Sequence, residues 1–305
     1  MSSPAVPESQ PKLVQVDRHT YEVNVVREGG FGKVWLLKRR TKEWDWIYGP
    51  ENAVKTFNLY EDEQEAVIER ELGNWISLQS RHIVSLIKIV RLNFQLGALM
   101  LLSPGSLDDY LRGHGPLDTS AIKVVLLDVA WGLADAQEQA NLIHLDLKPQ
   151  NLLLVSADSP RVRISDWGIS RIASQQRQHS DWLRAPRAWL ARQITVKTNF
   201  SGGTPPYMAP ERFSGSWTIG PSADVFSLGI IGVQLMTGQL PTVDPNGDRS
   251  RIIDLITSHR YFDRARALMS ARDGGLAALM LKMIDPNPGR RPIDYPTIIA
   301  GLDAA

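Results

Sequence analysis

The chain has 305 residues, of which 43% are hydrophobic and 22% are charged, and its formal net charge is +1. This composition is typical of an ordinary globular protein, and the balanced charge gives no reason to expect a specific nucleic-acid partner. The chain contains no cysteine, which excludes disulfides, thiolate catalysis and cysteine zinc sites. The absence of cysteine suits a reducing compartment, and we expect a cytoplasmic protein.

The N-terminus, MSSPAVPESQP, is polar and rich in proline. It lacks the basic and then apolar order of a signal peptide, so we expect residues 1–18 to form a flexible tail. No apolar run in the sequence approaches the roughly 20 residues that cross a bilayer, so no transmembrane segment is predicted.

Residues 19–103 predict a small α+β lobe. Three β-rich runs, YEVNVV, KVWLL and NAVKTF, are separated by a glycine cluster and by the turn-prone YGPEN, which favours an antiparallel meander. A helix is predicted over residues 61–79, because apolar residues recur there at helical spacings. The runs IVSLIKIVRL and GALMLL would then return the chain to the sheet.

Residues 104–305 predict a larger, mainly helical lobe. The segment TSAIKVVLLDVAWGLADA carries apolar residues at helical spacings behind a Thr-Ser cap. The segment 222–238, SADVFSLGIIGVQLMTG, is apolar on nearly every side. This pattern predicts a helix buried in the centre of the lobe and ended by Gly238.

The glycine cluster REGGFGKV, residues 27–34, lies between two predicted strands. Glycine permits positive φ and a close approach to a ligand, so the backbone amides of such a loop can point at phosphate oxygens. A plain glycine hairpin would have the same pattern. Lys55, within NAVKTF, would be explained equally well as a surface residue. For Glu71, on the predicted helix, an exposed surface position is the default explanation.

The stretch HLDLKPQN, residues 144–151, places a histidine, an aspartate, a lysine and an asparagine between two apolar segments. Pro149 blocks a helix, so the stretch is predicted to be a loop. Asp146 could take a proton from a hydroxyl nucleophile, Lys148 could neutralise phosphate charge, and Asn151 could hold a metal through its amide oxygen. A second carboxylate, Asp166, follows a short predicted strand, and this pairing matches the oxygen ligands that magnesium prefers.

These motifs occur in an order that resembles the eukaryotic-type serine/threonine protein kinase family. The series is GGFGKV, AVK, Glu71, HLDLKPQN, DWG, GGTPPYMAPER, DVFSLG and GRRP, and it covers about residues 19–303. The resemblance implies a bilobal α+β fold. A small, mainly antiparallel β lobe with one main helix (residues 19–103) would precede a larger, mainly α-helical lobe (residues 104–305).

The resemblance also implies a nucleotide site for ATP. Gly29, Gly30 and Gly32 would belong to the loop over the ATP phosphates, with Phe31 at its tip. Lys55 would contact the α and β phosphates and pair with Glu71. The remaining nucleotide contacts would come from the adenine pocket and from the hinge near residues 100–103, namely Val34, Ala53, Met100 and Leu102. Either Leu99 or Met100 would be the gatekeeper.

Catalytic and structural roles follow from the same resemblance. Asp146 would be the catalytic base, Lys148 would steady the transferring phosphoryl group beside Thr204, and Asn151 and Asp166 would bind Mg2+, with Mn2+ as an alternative ion. Two structural contacts are implied as well. They are an ion pair of Glu211 with Arg291 and hydrogen bonds from the backbone near His144 to Asp224. The substrate would be a protein with a serine or threonine acceptor.

Three positions depart from the family pattern. Arg27 stands where the first glycine of the phosphate loop is expected. Leu145 replaces the arginine that meets a phosphorylated activation-loop residue in relatives, so we expect activity that does not depend on that switch. Trp167 replaces the usual phenylalanine of the metal-binding turn and would form a larger apolar plug.

The predicted activation segment, residues 166–211, is unusually long. From residue 169 to residue 201 it carries six basic residues and one acidic residue, together with two tryptophans. The insert of residues 170–200 could bind a partner or an anionic surface. Alternatively, its tryptophans could pack on the large lobe.

Two other functions are alternatives to the protein kinase interpretation. A small-molecule phosphotransferase of the aminoglycoside type also carries a histidine, aspartate and asparagine loop, and DWG fits it, but it lacks GGTPPYMAPER, DVFSLG and GRRP. A pseudokinase scaffold is suggested by the three departures. Against it, every side chain expected to touch ATP, metal or acceptor hydroxyl is present.

Overall fold

The computed structural model describes the backbone of most of the chain in thirteen segments. These are residues 13–16, 19–29, 32–39, 51–57, 62–92, 95–167, 171–172, 196–197, 203–213, 218–244, 251–272, 274–292 and 294–305. Contacts divide the chain into two compact units, Met1–Gln79 with Val84–Ser103 and Ser80–Ile83 with Pro104–Ala305. We call them the sheet unit and the helical unit.

The sheet unit contains a six-stranded antiparallel sheet and one helix. The strands are β1 (Leu13–Val16), β2 (His19–Gly29), β3 (Gly32–Arg39), β4 (Glu51–Phe57), β5 (Leu86–Leu92) and β6 (Gln95–Leu101), and the helix is α1 (Asp62–Ser77). The strand order is β1-β2-β3-β4-β6-β5. The predicted meander, helix and pair of returning strands are therefore confirmed.

Strand β1 corrects the prediction that residues 1–18 form a flexible tail. Residues 13–16 pair antiparallel with β2, and Val16 is buried in the core at 2% exposure. Three of the four residues in LVQV are apolar and two of them are valine, a composition that favours a strand, and the proline-rich residues before it concealed this signal. Residues 1–12 and 17–18 lie outside the described part of the chain.

The core of the sheet unit lies against one face of the sheet. All six strands contribute to its nine buried side chains. These are Val16, Tyr21, Val23, Trp35, Leu37, Val54, Val90, Leu92 and Leu99. Trp35 satisfies its indole N–H by donating to Thr56 Oγ1 at 3.1 Å. Helix α1 is anchored by Trp75, which is buried and donates to the carbonyl oxygen of Val84 at 2.8 Å.

The helical unit contains seven described helices and three short strand pairs. The helices are α2 (Leu107–His114), α3 (Thr119–Ala140), α4 (Ser222–Thr237), α5 (Arg251–Thr257), α6 (Arg260–Leu268), α7 (Gly274–Met283) and α8 (Tyr295–Ala304). The strand pairs are β7 (Leu142–Ile143) with β10 (Arg171–Ile172), β8 (Leu152–Ser156) with β9 (Ser159–Ile164) and β11 (Val196–Lys197) with β12 (Thr218–Ile219). Among the described residues, no helix is both long enough and apolar enough to cross a bilayer.

Helices α3 and α4 form where the hydrophobic pattern predicts them. Helix α4 is buried along almost its whole length, and Gly238 ends it in the left-handed conformation at φ 72°. The cap of α3 differs from the prediction, because Asp118 and not the Thr-Ser pair accepts the free N–H of Ala121, at 2.8 Å. Aspartate is as effective an N-cap as serine, so the helix begins at Thr119, within the pair that was predicted to cap it.

Candidate active site

The loop that follows helix α3 carries the polar stretch of residues 144–151. Asn141 adopts the left-handed conformation at φ 56° and turns the chain out of the helix into β7. His144 is buried, and its Nδ1 accepts the N–H of Asp146 at 3.2 Å. The other ring nitrogen, Nε2, lies 2.9 Å from the carbonyl oxygen of Ser165. An imidazole with a proton on Nε2 satisfies both contacts, so the ring of His144 holds the loop at two points.

Asp146, Lys148 and Thr204 form a closed triangle of hydrogen bonds. The ammonium nitrogen of Lys148 lies 2.7 Å from Asp146 Oδ2 and 2.7 Å from Thr204 Oγ1. The hydroxyl of Thr204 donates to Asp146 Oδ1 at 2.9 Å. Both carboxylate oxygens of Asp146 are thus oriented, one by a cation and one by a hydroxyl from a distant segment.

Asn151 is hydrogen-bonded to Ser165, the residue directly before Asp166. The backbone N–H and the hydroxyl of Ser165 both donate to the carbonyl oxygen of Asn151, at 2.8 and 2.9 Å. The amide nitrogen of Asn151 donates to the carbonyl oxygen of Asp146 at 2.8 Å and to its Oδ2 at 3.2 Å. Because both bonds use the nitrogen, the amide oxygen of Asn151 points away from Asp146.

The donor set fits a magnesium ion. The amide oxygen of Asn151 and the carboxylate of half-buried Asp166 are hard oxygen ligands, which Mg2+ prefers. Among the described residues no cluster of three or more His, Asp or Glu side chains could hold a metal by itself. Two protein oxygens suit an ion that takes its remaining ligands from water and phosphate.

The loop of residues 144–151 is attached to the buried helix α4 through Asp224. The carboxylate accepts the N–H of His144 at 2.7 Å and the N–H of Leu145 at 2.8 Å, which confirms the predicted contact. Burial raises the pKa of Asp224, while nearby His144, the two N–H donors and the charge of Arg212 act in the opposite direction. Asp224 is therefore a buried acceptor whose ligands are backbone amides of the loop.

Trp167 packs against His144 of this loop. Its side chain is completely buried, and its ring meets the ring of His144 edge-on, with centroids 4.8 Å apart at 63°. The larger aromatic residue therefore acts as the apolar plug that the sequence predicted. The predicted ion pair of Glu211 with Arg291 is also confirmed, with Nη1 and Oε1 2.7 Å apart.

Four residues predicted to bind nucleotide share one face of the sheet unit. The strand register pairs Val34 with Lys55 and Ala53 with Met100, and cross-strand partners point to the same face. Leu99 belongs to the buried core on the opposite face. Of the two gatekeeper candidates, Met100 is therefore the one that shares a face with Lys55.

The predicted phosphate loop lies at the β2–β3 hairpin. Gly29 and Gly32 are partners across this hairpin, and Gly30 and Phe31, which lie between them, are outside the described residues. Leu102 follows directly on β6 and is half-buried.

Lys55 is half-buried, with its Nζ 5.5 Å from the centre of the Phe57 ring. Glu71 lies on helix α1, but its side chain is outside the described part of the structure, so its pairing with Lys55 stays a prediction. Most of the basic insert, residues 173–195, is likewise outside the described residues.

Sequence reasoning missed three polar contacts of the helical unit. Arg212 donates to the carbonyl oxygen of Leu145, and its position directly after the motif APE was the only available signal. Asp128 on helix α3 accepts Arg161 Nε at 2.7 Å and lies 3.2 Å from His82 Nδ1. No pattern of spacing links these three residues, which come from three separate parts of the chain.

The chain belongs to the protein kinase family, because the model of the protein kinase domain matches residues 22–295. The sheet unit and the helical unit accordingly form the bilobal α+β protein kinase fold that the sequence predicted.

Three curated relatives illustrate the similarity. The chain is 29% identical to mitogen-activated protein kinase kinase 1 of Arabidopsis thaliana, over 73% of this chain and 56% of that protein. It is 27% identical to a carbon catabolite-derepressing protein kinase of Candida tropicalis, over 73% of this chain and 32% of that protein. It is 28% identical to a receptor-like serine/threonine-protein kinase of Arabidopsis thaliana, over 72% of this chain and 56% of that protein. The matched regions thus span from about a third to just over half of these relatives.

Proposed function

We propose that this protein is an ATP- and Mg2+-dependent protein kinase that transfers the γ-phosphoryl group to serine or threonine hydroxyls of protein substrates. The observation that carries the proposal is the closed triangle of Asp146, Lys148 and Thr204 beside the oxygen ligands Asn151 and Asp166. It joins a proton acceptor, a cation and a candidate metal site in one small region.

The reaction needs a base, charge neutralisation and alignment. Asp146 accepts the proton of the acceptor hydroxyl as the hydroxyl oxygen bonds to the γ-phosphorus. The bond from that phosphorus to the bridging oxygen breaks, and ADP leaves with the electron pair. Lys148, 2.7 Å from Asp146, places a positive charge beside the transferring group.

Asn151 and Asp166 would hold Mg2+, or Mn2+ in its place. When bound, the ion neutralises phosphate charge and orients the phosphate oxygens. Asn151 has a second task that needs no metal, because its amide nitrogen holds the backbone and carboxylate of Asp146. Asp166 adopts the left-handed conformation at φ 65°, a backbone form that non-glycine residues rarely adopt and that is frequent at functional sites.

The sheet unit would supply the nucleotide contacts. Lys55 would bind the α and β phosphates and pair with Glu71, and Met100 would be the gatekeeper because it shares a face with Lys55. Val34 and Ala53 lie on that same face and would contact the adenine. The hinge would include Leu102, and the phosphates would lie under the glycines of the β2–β3 hairpin.

Specificity for serine and threonine is supported by the contacts of Lys148 and Thr204 with Asp146 and by the similarity to a receptor-like serine/threonine-protein kinase. Independence from activation-loop phosphorylation is supported by Leu145, which is apolar and 4% exposed and so offers no charge to a phosphate.

We further propose lobes at residues 19–103 and 104–305, a cytoplasmic location, and a docking role for the basic insert of residues 170–200.

A transfer assay with radiolabelled ATP tests the proposal. The purified protein should phosphorylate itself or a generic basic protein in the presence of Mg2+, and Asp146→Ala should reduce the rate by about 10²–10⁴-fold. Lys55→Met should abolish transfer as well. A parallel reaction with kanamycin tests for a small-molecule phosphotransferase.

The outcome decides between the candidate functions. No transfer to any acceptor, together with no thermal shift on adding ATP and Mg2+, would contradict the proposal and favour a pseudokinase scaffold. Transfer to kanamycin and not to protein would favour the small-molecule enzyme.

A further inference from the structure

Arg212 lies in the short 3-10 turn Pro210–Phe213, next to Glu211. The carboxylate of Glu211 is held by Arg291, so the turn has a fixed position in the helical unit. From this turn, Nη1 of Arg212 donates a hydrogen bond to the carbonyl oxygen of Leu145. Leu145 is the residue directly before Asp146.

The same guanidinium packs against Gly203. A methyl group placed on Gly203 would lie 3.0 Å from Nη1 and 3.1 Å from Nη2 of Arg212, which is closer than ordinary contact. Gly203 has φ 110°, a conformation that favours glycine. Gly203 is the residue directly before Thr204. One guanidinium therefore contacts the residues that precede both members of the Asp146–Thr204 hydrogen bond.

Leu145 needs such support. Its backbone is left-handed at φ 65°, which is unfavourable for leucine because Cβ approaches the following carbonyl oxygen. Its N–H is held by Asp224 Oδ1 at 2.8 Å, and its carbonyl oxygen is held by Arg212. The N–H and the carbonyl oxygen of Leu145 are thus each held by a side chain, the N–H by a carboxylate and the carbonyl oxygen by a guanidinium.

We propose that Arg212 is a positioning residue for phosphoryl transfer, which holds Asp146 and Thr204 in register by clamping Leu145 and Gly203. The inference rests on the proposed kinase function. In this role, Arg212 couples the segment 203–213 to the loop of residues 144–151. This coupling requires no phosphate, which agrees with a buried leucine at position 145.

The clamp differs from a general contribution to stability. A merely structural arginine would lower the melting temperature and leave the turnover of the folded enzyme unchanged. A positioning residue acts on the alignment of the base, so its loss should lower kcat while the KM for ATP stays the same. It should also loosen the backbone of residues 144–147 without loosening helix α3.

The test compares Arg212→Leu with Arg264→Leu in the full chain. Arg264 is a matched control, because it is half-buried in the same unit and donates to a backbone carbonyl, that of Val243, at 2.7 Å. We expect Arg212→Leu to lower kcat by about ten- to hundredfold with the KM for ATP within about twofold of the wild type. Arg212→Lys, which keeps the charge and a donor, should fall between Arg212→Leu and the wild type.

Amide hydrogen exchange of residues 144–147 gives a second measurement that does not require activity. Exchange should be faster in Arg212→Leu than in the wild type and unchanged in Arg264→Leu. If the leucine variant does not fold, Arg212→Gln takes its place, with the same expectations.

The inference is wrong if the position 212 variant keeps both wild-type kcat and wild-type exchange in this loop. It is also wrong if Arg264→Leu loses as much kcat as Arg212→Leu. Absence of transfer by the wild type would instead refute the proposed function, and the exchange data would still decide whether Arg212 clamps the loop.

Discussion

Arg291 and Glu211, which are 80 residues apart in the chain, form an ion pair with two hydrogen bonds of 2.7 and 2.9 Å. The side chain of Arg291 is completely buried and that of Glu211 is 7% exposed. Arg291 also donates to the carbonyl oxygens of Asp285 and Ser222, and its guanidinium lies 4.9 Å from the centre of the Phe226 ring. A single arginine thus joins the segment 203–213 to the C-terminal part of the helical unit.

Removing one partner of this pair should destabilise the fold strongly. Glu211→Ala would leave the guanidinium of Arg291 buried without its counter-charge, and we expect the free energy of unfolding to fall by about 3–5 kcal/mol. Urea unfolding measures this change. The control is Asp263→Ala, which removes an exposed partner of Arg266 at 3.8 Å and should change stability by less than about 0.5 kcal/mol. Equal losses in both variants would contradict the interpretation.

Trp167 should be far more sensitive to truncation than an exposed tryptophan. The side chain is completely buried, so Trp167→Ala should cost about 3–5 kcal/mol through lost burial and the cavity that remains. Trp167→Phe keeps an aromatic ring beside His144 and should cost less. Trp131→Ala is the control, because Trp131 on helix α3 is 45% exposed. Thermal unfolding of the three variants should rank them in this order.

His82 should make the fold sensitive to mild acid. Burial lowers the pKa of His82 below its usual 6.5, Arg81 lowers it further, and Asp128 and Asp135 act in the opposite direction. Nε2 of His82 accepts a bond from Arg81 Nε at 3.0 Å, so a proton added there would face a cation. Because the pKa is lower in the folded state, this contribution to stability is complete above pH 6.5 and is lost as the pH falls through the folded-state pKa.

The test for His82 is the slope of stability against pH. We expect the free energy of unfolding of the wild type to decrease between about pH 7 and pH 5, and His82→Gln to show a shallower slope because it does not titrate. Parallel slopes for the two proteins would assign the acid sensitivity to other groups.

Two helical glycines should respond to alanine in opposite directions. In Gly229→Ala on helix α4, the new methyl group would lie 2.6 Å from Ile284 Cγ2 and 2.9 Å from Met283 Cβ, so we expect a loss of about 1–3 kcal/mol from overpacking. In Gly73→Ala on helix α1, no atom lies within 4 Å of the new methyl group. Alanine should stabilise that helix by about 0.5–1 kcal/mol. Urea unfolding of both variants checks the sign of each change.

The parts of the fold that depend on local pattern could be predicted from the sequence. Helix α4 is apolar on nearly every side, and the structure buries it. The contact of Thr204 with Asp146 spans 58 residues and was predicted through the family resemblance, because no local pattern relates the two positions. The same holds for the contact of Asp224 with the backbone at His144.

The parts that depend on packing between distant segments could not be predicted. The partners of Arg212 and Asp128 are determined by how three or more elements pack together. The sequence around a charged residue does not indicate which distant residue it will contact. Strand β1 was missed for a related reason. Four residues, three of them apolar, are too short a signal until the neighbouring strand β2 is available to pair with them.

Asp224 belongs to helix α4, the helix with the longest run of buried residues in the described chain, and it holds the N–H groups of His144 and Leu145. Segments with this degree of burial open only in rare, large-scale fluctuations. We therefore expect the conformation of this loop to persist until the helical unit itself unfolds.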